Sequence, residues 1–447
     1  MSQLKAKIHE TLKNESLQKN YYQATHSAVA KNRIRAQEPE RWESLRQDAY
    51  QIRKKTIENL PIFLEKAEAS LNARNIETHW AINAEEARQI CYKLLQERGI
   101  RQVVKAKSML TEELELNDFL EKVGIRALET DLGEFIIQEA GEKPSHITAP
   151  AIHKSASDIA HLFEEKFGLP YTEDEHVLTE FARQKLRDDF LQAEAGISGA
   201  NFLVAEDAAL CLVENEGNIR LSVSIPPLHI AFVGIEKVVP DYASLAILLE
   251  LLAPSATGQD FPGYFSMIRN VEPNKEIHVV FVDNGRSDLW QNQDFRELLH
   301  CIRCGACLNS CPVYQHVGGH SYGWTYPGPI GALLTPLMRN KPGDELLPFM
   351  STLCGACTNA CPVKIPLHHL LLKMRHQTKS RQAKPPLFSA GIKAFTKTML
   401  HPRFYSAVSR MARILLKLIP GENLPIPCMN KLRHFARPAK KMYRDLK

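Results

Sequence analysis

Two runs of cysteine carry the recognisable chemistry of this chain. The first reads Cys301-Ile-Arg-Cys304-Gly-Ala-Cys307-Leu-Asn-Ser-Cys311-Pro312. Fifty residues later Ser351-Thr-Leu-Cys354-Gly-Ala-Cys357-Thr-Asn-Ala-Cys361-Pro362 repeats it. Residues 304–313 and 354–363 agree at eight of ten positions, which makes this an internal repeat. Cysteines spaced C-x2-C-x2-C-x3-C-P form the bacterial ferredoxin pattern, in which three close thiolates grip one iron–sulfur cluster and the fourth reaches across to another. The proline ends each loop and turns the chain away. Zinc would need four ligands, usually in paired C-x2-C knuckles, and leaves both the extra cysteine and the two Cys-Pro steps without a reason. Disulfides would need an oxidising compartment, and the N-terminal residues show no apolar stretch of signal-peptide length.

Crossing the fourth cysteines predicts the ligands. Cluster I takes Cys301, Cys304, Cys307 and Cys361. Cluster II takes Cys311, Cys354 and Cys357, and the position that matches Cys301 is Ser351. A serine oxygen is a harder and less acidic iron ligand than a thiolate. Both clusters are expected to be 4Fe-4S, the second with three alternatives open: a three-iron (3Fe-4S) form, a non-cysteine ligand at Ser351, or lability. Cys91, Cys211 and Cys428 stand alone and are expected to pack as small apolar side chains.

These ligands need a scaffold, and 447 residues suffice for two or three domains. A hydrophobic content of 44% and a charged content of 24% fit a globular protein. Residues 1–70 show apolar positions at helical spacing, predicting helices that pack on the adjoining domain. The basic stretch 31–35 is followed by Glu38, Glu40 and Glu43, so it reads as a solvated helix face and no nucleic-acid partner is expected. From about residue 71 to 298, strands predicted at 76–80, 102–104, 127–129, 146–148, 200–204, 210–213, 229–233 and 278–282 alternate with helices at 84–98, 155–165, 178–194 and 242–252. That alternation predicts an α/β domain with a mostly parallel sheet, whose ligand loops lie at the carboxyl ends of the strands. Lys105-Ala-Lys107-Ser108, Glu216-Gly-Asn-Ile-Arg220 and Asp283-Asn-Gly-Arg286-Ser287 follow strands and suit either an anion-binding rim or ordinary turns. No dinucleotide, P-loop or nucleophile-elbow signature occurs.

Several of these segments carry a resemblance. Val103-Val-Lys105-Ala-Lys107-Ser108, Ser198-Gly-Ala-Asn201-Phe-Leu-Val-Ala-Glu206, Glu214-Asn-Glu-Gly-Asn218, His229-Ile-Ala-Phe-Val-Gly-Ile-Glu236-Lys237 and Ser255-Ala-Thr-Gly-Gln259 resemble the LUD domain. With the cysteine runs, His316-Val-Gly-Gly-His320 and Tyr326-Pro-Gly-Pro-Ile-Gly331, the likeness narrows to the B-type family of lactate-utilisation proteins and spans roughly residues 30–375. It implies a fold like the CoA-transferase and sugar-phosphate isomerase superfamily, followed by an α-helical ferredoxin-like di-cluster module. It also implies an iron–sulfur electron-transfer subunit of a complex that oxidises L-lactate to pyruvate, an oxidoreductase component not catalytic alone. The implied sister subunits are a cysteine-rich-domain protein and a second LUD protein. The competing readings are a LUD-domain enzyme acting on an acyl or sugar-phosphate compound with structural or regulatory clusters, and a scaffold for sister subunits. Where the family often reads Glu-Thr-Gly-Ser, this chain has Glu206-Asp-Ala-Ala209, so no hydroxyl-and-glycine anion loop is expected there.

The domains are accordingly expected at 1–70 (helical segment), 71–298 (LUD), 299–375 (di-cluster module) and 376–447 (basic tail). The tail holds nine lysines and seven arginines against Glu422 and Asp445, a net +14 that leaves −9 on the rest. A helix predicted from Tyr405 onward has one cationic face, suited to an anionic membrane surface, an acidic partner, or this protein's own acidic body. No stretch reaches the length of a spanning helix, and a cytoplasmic location is the expectation, with peripheral membrane contact through the tail as one alternative. His316 and His320 are candidates for tuning the clusters or relaying protons.

Overall fold

The computed structural model describes residues 2–269, 273–381, 386–417, 423–424 and 435–436. Ten strands belong to the α/β region: β1 (Glu77–Ala81), β2 (Gln102–Lys105), β3 (Arg126–Glu129), β4 (Ala195–Ser198), β5 (Phe202–Val204), β6 (Ala209–Glu214), β7 (Leu228–Gly234), β8 (Val238–Val239), β9 (Tyr264–Ile268) and β10 (Glu276–Val282). Six form one sheet in the order β1-β10-β7-β4-β2-β3, and every neighbouring pair is parallel. Crossovers in a parallel sheet put helices over its faces, and β7 is buried along its whole length. The other four form a smaller, largely antiparallel sheet, β8-β5-β6-β9, in which only β5 and β8 run parallel.

The expected α/β class with a parallel sheet is what the chain adopts, with one predicted strand absent. Residues 146–148 form a turn because His146 turns back on its own chain. Its Nδ1 accepts the backbone N–H of Thr148 and of Ala149, and Pro150 follows. A ladder cannot run through amides already used locally.

Five helices precede the sheet: Ser2–Thr11, Glu15–Ala30, Arg33–Gln37, Pro39–Glu58 and Leu60–Asn72. They pack on the α/β region and also on the cysteine runs. Arg53, 1% exposed, donates to the carbonyls of Glu236, Val238, Leu299 and His300, so one guanidinium joins the helix, the end of β7 and the entry to the first run. Arg46 on the same helix donates to the carbonyls of Thr358 and Cys361 in the second. One apolar core runs through the N-terminal helices, the smaller sheet and the cysteine runs.

Residues Met1–Gln377 form one compact unit and Thr378–Lys447 a second. The second contains helices Pro386–Leu400 and Pro402–Lys417, and a short antiparallel pairing of 423–424 with 435–436. Phe395, Phe404, Met411 and Ile414 are exposed on these helices. Cys428 lies outside the described residues. Among those described, no helix is long and apolar enough to cross a membrane.

Candidate iron–sulfur centre and the adjoining cavity

The repeat in sequence is a repeat in backbone. Arg303 and Leu353 both take left-handed φ, 60° and 57°, and two residues later Gly305 and Gly355 do so at 80° and 84°. A left-handed residue with a side chain is uncommon and concentrates at functional sites. Here it folds the loop from Cys301 to Cys304 in the first run and from Ser351 to Cys354 in the second. Short helices, Ala306–Asn309 and Ala356–Ala360, then carry Cys307 and Cys357.

Cys301, Cys304, Cys307 and Cys361 line one small cavity, walled by Ile147, Ile330 and Ile365. Cys311, Cys354 and Cys357 sense one another electrostatically and form the other group. Cys307 also senses Cys357, so the groups are neighbours. All nine cysteines among the described residues are free.

The donor set fits iron–sulfur chemistry. Burial pushes the Cys361 thiol up to about 12, the Cys357 thiol to about 11, and Cys304 and Cys307 higher still. Buried thiols of that kind are deprotonated when a cation takes the proton's place. Backbone N–H groups already point at sulfur: Arg303 to Cys301 and Ile365 to Cys361, each at 3.4 Å. Such hydrogen bonds help set cluster potential.

The second group differs. Cys354 is exposed, and the Ala356 N–H lowers its pKa. Ser351 stands where the repeat places it: the Leu353 N–H donates to Ser351 Oγ at 3.1 Å, as the Arg303 N–H does to Cys301 sulfur. His316 and His320 are both exposed and donate to the carbonyls of Pro312 and Lys143, holding loops. A buried histidine beside Gly305 of the first run is His146. Its Nε2 donates to Asn309, and burial lowers its pKa to about 4, keeping it neutral.

A larger cavity of about 260 Å³ opens at the carboxyl ends of the parallel strands, where an α/β sheet binds ligands. Lys107, Ser108, Glu216, Asn218 and Arg286 from the three loops singled out in the sequence line it. Lys105 does not: it is buried in an ion pair with Glu129 at 2.7 Å. Arg220 lies over the Tyr264 ring instead. Glu206 and Ala208 also stay out of this lining, since they sit in the β5–β6 turn. The departure from the family pattern there leaves the cavity untouched.

The cavity wall is a buried ion network. Arg286 holds Glu113 with two 2.8 Å hydrogen bonds and donates to Glu236 at 2.5 Å. Tyr326 donates to Glu113 at 2.6 Å, and Arg303 reaches Glu236 at 3.4 Å and stacks 4.6 Å from the Tyr326 ring. Burial alone would raise the Glu236 carboxyl, but Arg286, Arg303 and Lys237 overcome it and hold the group down at about 2. Gly234 is required here, because a Cβ would lie 2.4 Å from Glu236 Oε2. Arg303, Glu236, Lys237 and Tyr326 escaped the residue-level reading. Arg303 sits at a spacer position of the cysteine run, and only an acid–base pair after a strand, Glu236-Lys237, gave any signal.

The comparisons agree with this architecture. Residues 64–285 match the LUD domain family and residues 297–365 the 4Fe-4S dicluster domain family. Lactate utilization protein B of Bacillus cytotoxicus is 40% identical over 427 residues, covering 93% of this chain and 90% of its own. The protein of the same name from Bacillus cereus strain B4264 has the same identity and coverage. A DUF162 family protein of known structure from Deinococcus radiodurans, 12% identical and covering 50% of this chain and 98% of its own, gives a TM-score of 0.27, too low to inform the fold. The fold and paired cysteine runs define an iron–sulfur protein built on a LUD domain. The chain belongs to the lactate utilization protein B family.

Proposed function

We propose that the chain is the iron–sulfur electron-transfer subunit of a lactate-utilisation complex that oxidises L-lactate to pyruvate. Cys301, Cys304, Cys307 and Cys361 would hold cluster I, and Cys311, Cys354 and Cys357 cluster II, with Ser351 as the candidate fourth ligand. The clusters would supply one-electron transfer. The protein's part is to hold them, to donate hydrogen bonds to the cysteine sulfurs, and to exclude water from the first site with Ile147, Ile330 and Ile365. The observation that carries this reading is the grouping of the cysteines, in which Cys361 of the second run joins three from the first in one cavity. The names of the relatives support the lactate role.

The chain shows no flavin or nicotinamide loop, so chemistry on the carbon skeleton falls to a complex containing a cysteine-rich-domain protein and a second LUD protein. Functionally, residues 1–70 would brace the clusters, 71–298 form the LUD domain, 299–375 the di-cluster module, and 376–447 a basic tail. The tail would recruit an acidic sister subunit or an anionic membrane surface. Anaerobic purification from the native host tests the proposal by iron and sulfide analysis, electron paramagnetic resonance (EPR) and identification of co-purifying chains. About eight irons per chain, reducible signals and the two sister chains are expected. Stoichiometric zinc without acid-labile sulfide would overturn it.

A further inference from the structure

The cavity at the carboxyl ends of the strands and the cysteine cavity share a wall. Ile147, Ile302 and Arg303 line both. The Arg303 guanidinium belongs to the larger one, because its neighbours Glu236, Tyr326 and Arg286 all line that cavity and none lines the other. Arg303 is 8% exposed, and its Nε and Nη1 have no hydrogen-bond partner among the described residues.

A buried donor without a partner is costly, and more so when it is charged. The other charges do not relieve it. Arg286 is fully engaged by Glu113, Glu236 and the Asp283 carbonyl. Glu236 is shared between the two arginines. Lys237, half-buried in the same wall, makes neither a hydrogen bond nor an ion pair among the described residues. Two arginines and Lys237 thus face Glu113 and Glu236, leaving one positive charge uncompensated. The other acids of the lining are held elsewhere: Glu214 by the N–H groups of Ile219 and Arg220, Glu216 by that of Leu132, and Asp131 by that of Glu134 and by Lys107.

We propose that this cavity is a binding site for a small organic carboxylate, received by Arg303 and Lys237 against the wall of cluster I. A carboxylate supplies one negative charge and the acceptors that Arg303 lacks. At about 260 Å³ the space lies just below the roughly 300–1,000 Å³ of drug-sized ligand sites, which sets the ligand's size class. The site rests on the di-cluster reading for its neighbour and names the ligand class of the LUD cavity. Arg303 sits between two of the proposed cluster I cysteines, so ligand binding and cluster reduction are coupled, and the coupling is reciprocal. An anion bound there lowers the cluster I potential, and reduction weakens the anion's binding. A tenfold loss of affinity on reduction corresponds to a shift of about 59 mV for a one-electron couple.

The test uses the full-length, anaerobically prepared protein, with iron content and EPR signals recorded first. Missing clusters at that stage count against the di-cluster reading and not against the carboxylate site. L-lactate, pyruvate and inorganic phosphate are then titrated calorimetrically. Saturable binding of a carboxylate is expected, weakened at least tenfold in Arg303→Gln and in Lys237→Gln, with the potential of one cluster moving down when ligand is present. Lys237→Gln leaves every cysteine and its neighbours in the runs intact, so it decides the case if Arg303→Gln fails to load iron. The proposal is overturned if no carboxylate binds to cluster-loaded protein at tens of millimolar, if phosphate alone binds, or if Lys237→Gln binds as the parent does.

Discussion

The two cysteine runs share their backbone turns and almost their sequence, yet they occupy different surroundings. The first enters through His300, which is buried, and is tied to the LUD region by Arg303, Glu236 and Arg286. Arg53 also fixes its entry, donating to the carbonyls of Leu299 and His300. The second begins at the half-buried Ser351, whose carbonyl accepts from Arg375, and leaves Cys354 exposed. Spacing dictates how each loop folds. What packs around the loop decides how well its thiolates are shielded: the LUD region reaches Cys361 of the second run through Ile147, but Cys354 is left exposed.

The largest contrast should appear on removing one cysteine from each group. Cys304→Ala and Cys354→Ala should each cost about half the iron. Only the first should also lower the melting temperature, by several degrees, because Cys304 lies in the continuous core and Cys354 does not. Scanning calorimetry of the anaerobic proteins checks this. Equal melting temperatures would remove the distinction.

Oxygen should separate the groups next. On aerobic exposure the EPR signal assigned to the second group should decay several-fold faster than that of the first. Ser351→Cys should slow that decay by completing a thiolate set. If both signals decay together and the substitution changes nothing, Ser351 is not at the cluster. A smaller effect is expected from Glu236→Gln, which removes the charge shared by Arg286 and Arg303. Breaking a buried pair in this way costs about 3–5 kcal/mol. Urea unfolding should show that loss, with the oxygen lifetime of the first cluster shortened and that of the second unchanged.

The tail should matter least to the clusters. Truncation from about residue 385 should leave iron content intact and remove the salt-dependent part of binding to sister subunits or anionic vesicles. That part weakens as the Debye length falls to about 10 Å at 0.1 M salt. Loss of iron on truncation would show that the tail helps hold the runs.

Much of this was legible in the sequence because it is local. Cysteine spacing fixes a loop, and the two runs take the same backbone turns. The parallel sheet was legible from alternation, but β4 was not: Ala195-Gly-Ile-Ser198 is buried along its length and has neither alternation nor a run of β-branched residues. Residues 146–148 misled in the other direction, since a β-branched pair beside a histidine reads as strand until the imidazole captures the next amides. The wall between the two cavities was not legible. Arg303, Glu236 and Tyr326 are brought together from three separate stretches by packing, and no spacing rule connects them.

The most direct test of the crossed arrangement is EPR on anaerobic Cys361→Ala beside Cys304→Ala and Cys354→Ala. Cys361 belongs by sequence to the second run and by position to the first group. The account predicts that Cys361→Ala loses or alters the same cluster signal as Cys304→Ala and keeps the one that Cys354→Ala loses. A spectrum matching that of Cys354→Ala would mean that each run serves its own cluster, and would contradict it.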